Sequence, residues 1–160
     1  MRSLGLDHGD RRTGVAISDP QGMLATPLTV LAPGGEDVLI DEVLKLVEQH
    51  EAGRIVIGLP CHLTGEEGEQ AGKVTAFAEK LSQRARESGL SQLDVQLWDE
   101  RLSTIVAHQL KAEVEGRGGS GRARTGRGGK KSRPAVKAEV DAIAAAVILQ
   151  GYLDSHRPEQ

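Results

Sequence analysis

LGLDHGDRRTGVAIS, residues 4–18, contains two β-prone runs on either side of a polar turn. Gly9 and Gly14 bracket this turn and supply the backbone freedom that a chain reversal needs, so the pattern predicts a β-hairpin. Asp7 stands at the end of the first run, with Arg11 and Arg12 shortly after it. A carboxylate at a strand end, near backbone N–H groups and arginines, suits a metal ion or a phosphate. The alternative is a surface aspartate that only begins the turn.

Beyond the hairpin, the chain alternates strands with helices. A third strand is expected over Leu24 to Leu31, at a sheet edge because Pro27 has no N–H to donate. The apolar and periodic runs then predict four helices and two further strands. The helices are expected at about 36–50, in a segment that ends at about 87, from 102 to before 116, and from about 135 onward. The strands are expected at 54–60 and 94–98. This order indicates a mixed sheet with helices packed on it. Functional sites of such sheets gather at the carboxyl ends of the strands, where Asp7 and Glu100 fall.

The last predicted helix carries an apolar stripe, which we expect to face the sheet. Asp141 follows the first member of this stripe and lies in the early turns of the helix, so it can face the sheet without entering the core. The stripe consists of Val140, Ile143, Ala144, Val147, Ile148, Gly151 and Tyr152.

Three acids therefore become candidates for one site. If the last helix packs beside the first strand, then Asp7, Glu100 and Asp141 converge, and three adjacent carboxylates need cations. Mg²⁺ or Mn²⁺ fits because the site offers no soft ligands. Two such ions ~4 Å apart can activate a water and stabilise the leaving oxygen in phosphodiester hydrolysis. Each acid also has a structural interpretation, since Glu100 could belong to a helix cap with a surface ion pair and Asp141 could be a solvated first-turn acid that the helix dipole favours.

The net charge of −3 is unevenly distributed. Residues 116–137 carry eight basic side chains and no acid, which leaves −11 on the rest of the chain. We expect 160 residues to form a single domain with a mobile Gly/Arg-rich loop at about 116–134, because that loop has no apolar side chain larger than alanine. The loop is either a solvated linker or a surface that neutralises phosphates. Its candidate nucleic-acid-binding residues are Arg122, Arg124, Arg127, Lys130 and Lys131, followed by Lys137.

Composition also limits the classes of protein. The single cysteine, Cys61, excludes a disulfide framework and favours a reducing, intracellular setting. No apolar run reaches the ~20 residues that span a bilayer, so no membrane association is expected. Aromatic residues are 2% of the chain, which argues against base-stacking platforms.

Four motifs, in order, resemble the YqgF/RuvX family over residues 2–154. The motifs are Asp7-x-Gly9-x-x-Arg12-x-Gly14-Val15-Ala16, Ile57-Gly58-Leu59-Pro60, Asp99-Glu100-Arg101-Leu102-Ser103-Thr104 and Val140-Asp141-x-x-Ala144-Ala145. The resemblance implies an α/β RNase H-like fold, with a five-stranded mixed sheet of order 3-2-1-4-5, strand 2 antiparallel and helices on both faces. It also implies a cytoplasmic nuclease that matures the 5′ end of the 16S rRNA precursor.

The same resemblance assigns residues. Asp7, Glu100 and Asp141 fall on the family's metal-binding acids, and Arg12 and Arg101 fall on its motif arginines. These arginines either contact the phosphate backbone or hold a neighbouring acid in place. The chain departs from the family before Asp141, where members usually have a shorter loop with lysines close to the acid. Here the loop is long, and Lys137 lies one helical turn before Asp141.

The leading hypothesis is a nuclease that uses two Mg²⁺ or Mn²⁺ ions to cleave precursor rRNA, as a monomer or a homodimer. A branched DNA junction is the alternative substrate, and its two symmetric cuts would need a dimer. Hypotheses of another class are an ATP site like that of the actin-like ATPases, which share an Asp-x-Gly phosphate loop, and a nucleic-acid adaptor without activity. His8 should point to the face opposite Asp7, which favours a structural role.

Overall fold

A computed structural model describes residues 1–59, 65–99 and 134–156. Side chains are described for these residues except 65–67 and 134–138. The helix expected from residue 102 and most of the basic loop expected at about 116–134 therefore lie outside the described residues.

Five strands of the described chain form one mixed sheet. Its order is β3-β2-β1-β4-β5, with β2 antiparallel to β1 and β3, and β4 parallel to β1 and β5. This topology confirms the predicted 3-2-1-4-5 order with strand 2 antiparallel. The strands are β1 (Arg2–His8), β2 (Thr13–Ser18), β3 (Ala25–Leu31), β4 (Ala52–Leu59) and β5 (Asp94–Asp99).

Three helices are described, on both faces of this sheet. They are α1 (Glu36–His50), α2 (Gly65–Glu87) and α3 (Pro134–Ser155). Helices α1 and α2 cover one face and α3 covers the other. β3 is an edge strand, as Pro27 predicts, and its pairing with β2 shifts register beside that proline. No helix of the described ranges is long and apolar enough to span a membrane.

The α1–α2 face holds the larger core. Alternation along β1 sends Leu4 and Leu6 to this face, and β4 contributes Ile55 and Ile57, all fully buried. Val56 points to the opposite face, so the continuous apolar run of β4 is covered on both sides as predicted. Phe77 of α2 is also fully buried and belongs to the same core.

The α3 face is packed closely through small residues. A Cβ built on Gly5 of β1 would lie 2.7 Å from the Cβ of Leu149 and 2.9 Å from the main-chain oxygen of Ala145. Because no larger residue fits between them, the α3 backbone rests almost directly on β1. This close approach fixes the height of the helix above the sheet.

The predicted stripe of α3 was partly wrong. Val140, Ile148 and Tyr152 are buried as expected, but the other four members are only partly buried. The helix is apolar nearly all round, so periodicity could not identify one face. The residues that complete the buried face are Ala142, Ala145, Leu149 and Leu153.

Candidate carboxylate site at the end of the first strand

Asp7 lies near the carboxyl end of β1, on the α3 face. Its side chain alternates with those of Leu6 and His8, which belong to the α1–α2 face, and shares the parity of Gly5. Asp7 is partly buried and has contacts of its own. The strand therefore delivers a carboxylate to the edge of the α3 packing, short of the closed core.

Asp141 is brought to the same place by a backbone contact. Gly14 of β2 pairs directly with Asp7 in the antiparallel register. A side chain at Gly14 would overlap the main-chain carbonyl group of Asp141. The turn of α3 that carries Asp141 therefore rests on Gly14, the residue beside Asp7. Because adjacent strands are only about 4.8 Å apart, the main chain of Asp141 lies near Asp7. The structure thus brings together two of the three predicted acids, through a glycine whose expected role was only in the turn.

Arg12 contacts Asp141 across this site. Its Nε lies 2.8 Å from Oδ2 of Asp141, and the two side chains are 36% and 22% exposed. This contact between Arg12 and Asp141 is an ion pair whose N–H group is not aligned as in a hydrogen bond. Oδ2 of Asp141 is therefore a buried oxygen that has no hydrogen-bond donor in the described chain. Arg12 was expected either to contact the phosphate backbone or to hold a neighbouring acid in place. The contact with Asp141 corresponds to the second role.

Glu100 lies outside the described residues, although the strand that leads to it is described. Leu6, Ile57 and Leu97 form one row across β1, β4 and β5. Asp7 stands one residue beyond this row, and β5 ends two residues beyond it at Asp99. Since one strand separates β1 from β5, the two ends are about 10 Å apart across the sheet.

The remaining predicted residues are placed only in part. Within the described ranges, which do not include Glu100, no group of three acidic, histidine or cysteine side chains could hold a metal ion. Lys137 belongs to α3, one turn before Asp141, but its side chain is not described. The residues outside the described ranges are Arg101, Arg122, Arg124, Arg127, Lys130 and Lys131.

The turn between β1 and β2 is held by contacts that sequence reasoning missed. The N–H of Gly9 donates to the carbonyl of Arg12 at 3.0 Å and closes the turn. From α2, the Gln70 amide donates to the carbonyl of His8 at 3.3 Å, and Lys73 Nζ lies 3.6 Å from Asp10. The polar residues of an amphipathic helix follow the same sequence pattern whether they face solvent or contact a turn. The sequence therefore could not predict the contacts of Gln70 and Lys73 with this turn.

His8 faces away from the acids and packs in the α1–α2 core. Its ring stacks on Phe77 with centroids 4.2 Å apart, and its Nδ1 lies 3.2 Å from the hydroxyl of Thr13. Burial lowers the pKa of His8 below its ordinary value, and weaker attraction to Glu36 and Asp10 opposes that shift. The orientation predicted for His8 is correct, and its contacts are structural.

Arg11 lies on the other side of the turn from Arg12. It lines a cavity of about 430 Å³ between the turn, the start of α1 and Lys73. The two adjacent arginines therefore differ in environment: Arg12 faces Asp141, whereas Arg11 is exposed toward the α1–α2 side.

Asp7 and Asp141 are brought close together by main-chain contacts through Gly14, and neighbouring carboxylates repel each other unless positive charge is present. Asp141 Oδ2, buried and without a hydrogen-bond donor, is an acceptor suited to a cation, and an oxygen-only donor set suits Mg²⁺ or Mn²⁺. The residues present therefore fit a hard divalent ion.

Similar proteins were found over the whole chain. A family model described as "RuvX: Holliday junction resolvase" matches residues 1–155. A protein of Pelotomaculum thermopropionicum named "Putative pre-16S rRNA nuclease" is 37% identical, covering 100% of this chain and 92% of its own length. A protein of Clostridium novyi with the same name is 38% identical, covering 97% of this chain and 99% of its own.

The fold is shared with more distant structures. RuvC of Thermus thermophilus, solved in complex with a Holliday junction substrate, superposes with a TM-score of 0.54 at 15% identity and covers 97% of this chain and 95% of RuvC. At that identity the likeness shows the fold alone, which is RNase H-like. The full-length family match and the close relatives together show that this chain belongs to the RuvX family.

Proposed function

We propose that this chain is a nuclease that hydrolyses phosphodiester bonds with divalent cations held at the carboxyl end of β1. The observation that carries the proposal is the position of Asp141, whose backbone rests on the residue paired with Asp7 and whose buried Oδ2 has no described hydrogen-bond donor. Such an arrangement suits the binding of a cation between two carboxylates.

In this proposal Asp7 and Asp141 hold the cations, and Glu100 completes the set from the end of β5. When bound, two Mg²⁺ or Mn²⁺ ions activate the attacking water and stabilise the charge on the leaving oxygen. The chain supplies the spacing of the carboxylates, because both Asp7 and the start of α3 are positioned by main-chain contacts.

The basic residues would bind the substrate backbone. Neutralisation of phosphates increases the affinity for nucleic acid whatever its base sequence. The loop would therefore strengthen substrate binding, and salt would weaken this effect. The proposed phosphate-binding residues are Arg12, Arg101, Arg122, Arg124, Arg127, Lys130, Lys131 and Lys137.

Precursor 16S rRNA is the substrate that we propose first, because the close relatives carry that substrate in their names. A four-way DNA junction is the second candidate, favoured by the description of the matching family model. Labelled precursor leader and labelled junction should be incubated separately with protein, in Mn²⁺ or in EDTA. Cleavage of the leader alone supports the first substrate, and paired cuts in the junction by a dimer support the second.

The test of the cation site is Asp7→Asn. Loss of one carboxylate should lower cleavage roughly a thousandfold, since a metal site contributes several kcal/mol and each ~1.36 kcal/mol is a factor of ten. Asp10→Asn is the matched control, because Asp10 is an exposed acid of the same turn that contacts Lys73. Circular dichroism should show that both variants fold. Undiminished cleavage by Asp7→Asn, or an equal loss in both variants, would contradict the proposal.

A further inference from the structure

We infer that Arg12 and a divalent cation compete for the same oxygen of Asp141, and that the displaced guanidinium then binds a phosphate of the substrate. This inference rests on the proposed function. It assigns to Arg12 a positioning role that links cation binding to substrate binding.

The contact identifies the shared atom. Arg12 Nε approaches Oδ2 of Asp141 at 2.8 Å, and Oδ2 is the buried oxygen that has no hydrogen-bond donor in the described part of the chain. Asp7 and Asp141 would hold the cation, and the Asp141 oxygen without a hydrogen-bond donor would be available to it. A guanidinium at 2.8 Å and a divalent ion at the same oxygen repel each other, so the binding of one disfavours the other.

The two partners differ in mobility, which decides which of them moves. The main chain of Asp141 rests against Gly14 and lies two turns inside the long helix α3, so the backbone that carries this carboxylate cannot retreat without lifting α3. Among the described residues, the backbone of Arg12 is held by the Gly9 N–H bond, whereas its long side chain is partly exposed. The arginine side chain is therefore the partner that moves.

The released guanidinium has a use at this position. Arginine binds phosphate oxygens through paired, charge-assisted N–H bonds. If cation binding frees Arg12 for phosphate, each event favours the other, and by thermodynamic linkage the substrate should also tighten cation binding. Arg12 would thus stay paired with Asp141 until a cation binds, and its guanidinium would then be available to a phosphate of the substrate.

Binding of Mn²⁺, measured by the electron paramagnetic resonance signal of the free ion, tests the competition without any measurement of cleavage. The variant is Arg12→Gln and the matched control is Arg11→Gln, which removes the same charge one residue away from an exposed side chain. We expect Arg12→Gln to bind Mn²⁺ on the order of fivefold more tightly than Arg11→Gln, the lower end of ordinary coupling between sites. Thermal unfolding should show that both variants fold.

Three results would overturn the inference. Equal Mn²⁺ affinity of the two variants would mean that only long-range charge matters. Weaker binding by Arg12→Gln would mean that the arginine supports the cation site. If wild-type protein binds no Mn²⁺, the proposed function fails as well, and that outcome is distinct from the first two because it does not depend on Arg12.

A second measurement follows the arginine itself. The ¹⁵Nε–¹Hε resonance of Arg12, assigned by its loss in Arg12→Gln, should shift when Mg²⁺ is added to wild-type protein. The same titration of Asp141→Asn should leave it unmoved, because that variant lacks the shared carboxylate. A resonance that ignores Mg²⁺ in protein that binds the ion would refute the displacement.

Discussion

The two faces of the sheet are packed in different ways. On the α1–α2 face, branched and aromatic side chains such as Leu6, Ile57 and Phe77 fill the space between helix and sheet. On the α3 face, Gly5 and Gly14 let the helix backbone touch the strands. Side-chain packing adjusts to change, whereas direct contact between main chains leaves little freedom. The carboxylates lie on the face where the backbone sets their positions.

Neighbouring residues at the end of β1 show this difference most clearly. His8 stacks on Phe77 and belongs to the adjustable core, while Asp7 pairs with the glycine on which Asp141 rests. A single strand thus contributes stability through one side chain and chemistry through the next. The comparison predicts that changes on the two faces will affect stability and cation binding separately.

Leu81→Ala should give the largest loss of stability and little loss of function. Leu81 is fully buried in the α1–α2 core, and truncation of a buried leucine costs about 2–5 kcal/mol of unfolding free energy. Urea denaturation measures that loss. Mn²⁺ affinity of the folded variant should stay within about twofold of wild type, because the α3 face is unchanged. A large fall in affinity would break the proposed separation of the two faces.

Gly14→Ala should show the opposite pattern. The new methyl group would overlap the main chain of Asp141, and overpacking of this kind costs about 1–3 kcal/mol. Because the turn of α3 around Asp141 must move away from β2, Mn²⁺ affinity should fall on the order of tenfold, although the loss of stability is smaller than for Leu81→Ala.

Gly72→Ala is the matched control for that methyl group. Gly72 lies inside α2, and no described atom beyond the neighbouring backbone of that helix lies within 4 Å of the added carbon, so the change should stabilise the protein by roughly 0.5–1 kcal/mol. Mn²⁺ binding should not change. If Gly14→Ala binds Mn²⁺ as tightly as Gly72→Ala, the backbone contact does not set the carboxylate positions.

The order of elements could be predicted because its signals are local. Glycines at the turn, Pro27 in an edge strand and the unbroken apolar run of β4 each depend on short-range physics. The strand order itself came from the resemblance to a family. Those two sources together predicted the sheet that the structure has.

The geometry of the site was harder to predict because it depends on distance in space. Nothing in the apolar pattern of α3 indicates that Ala145 and Leu149, and not Ile143 and Val147, meet the sheet. The glycine opposite Asp7 was assigned to a turn, although it also determines where Asp141 lies. Two features of the sequence together would have indicated that α3 lies close to β1 and β2. They are a glycine across from a candidate acid and small residues on an apolar helix.

The smallest predicted effect concerns His8 and the pH dependence of stability. Burial lowers the pKa of His8 below its ordinary value of 6.5, so the unfolded chain binds a proton at a higher pH than the folded protein does. The stability that depends on neutral His8 is therefore present above about pH 6.5 and is lost as the pH falls through the lower folded-state pKa. His8→Gln has no such proton to bind, so its unfolding free energy should fall less than that of wild type over this range. Urea denaturation measures the unfolding free energy of both proteins, and the difference between them is set to zero at pH 8. This difference reports the effect of His8 alone, because the carboxylates titrate in both proteins. Parallel curves, or a wild type that gains stability relative to the variant on acidification, would contradict the assignment of His8 to the buried, adjustable face.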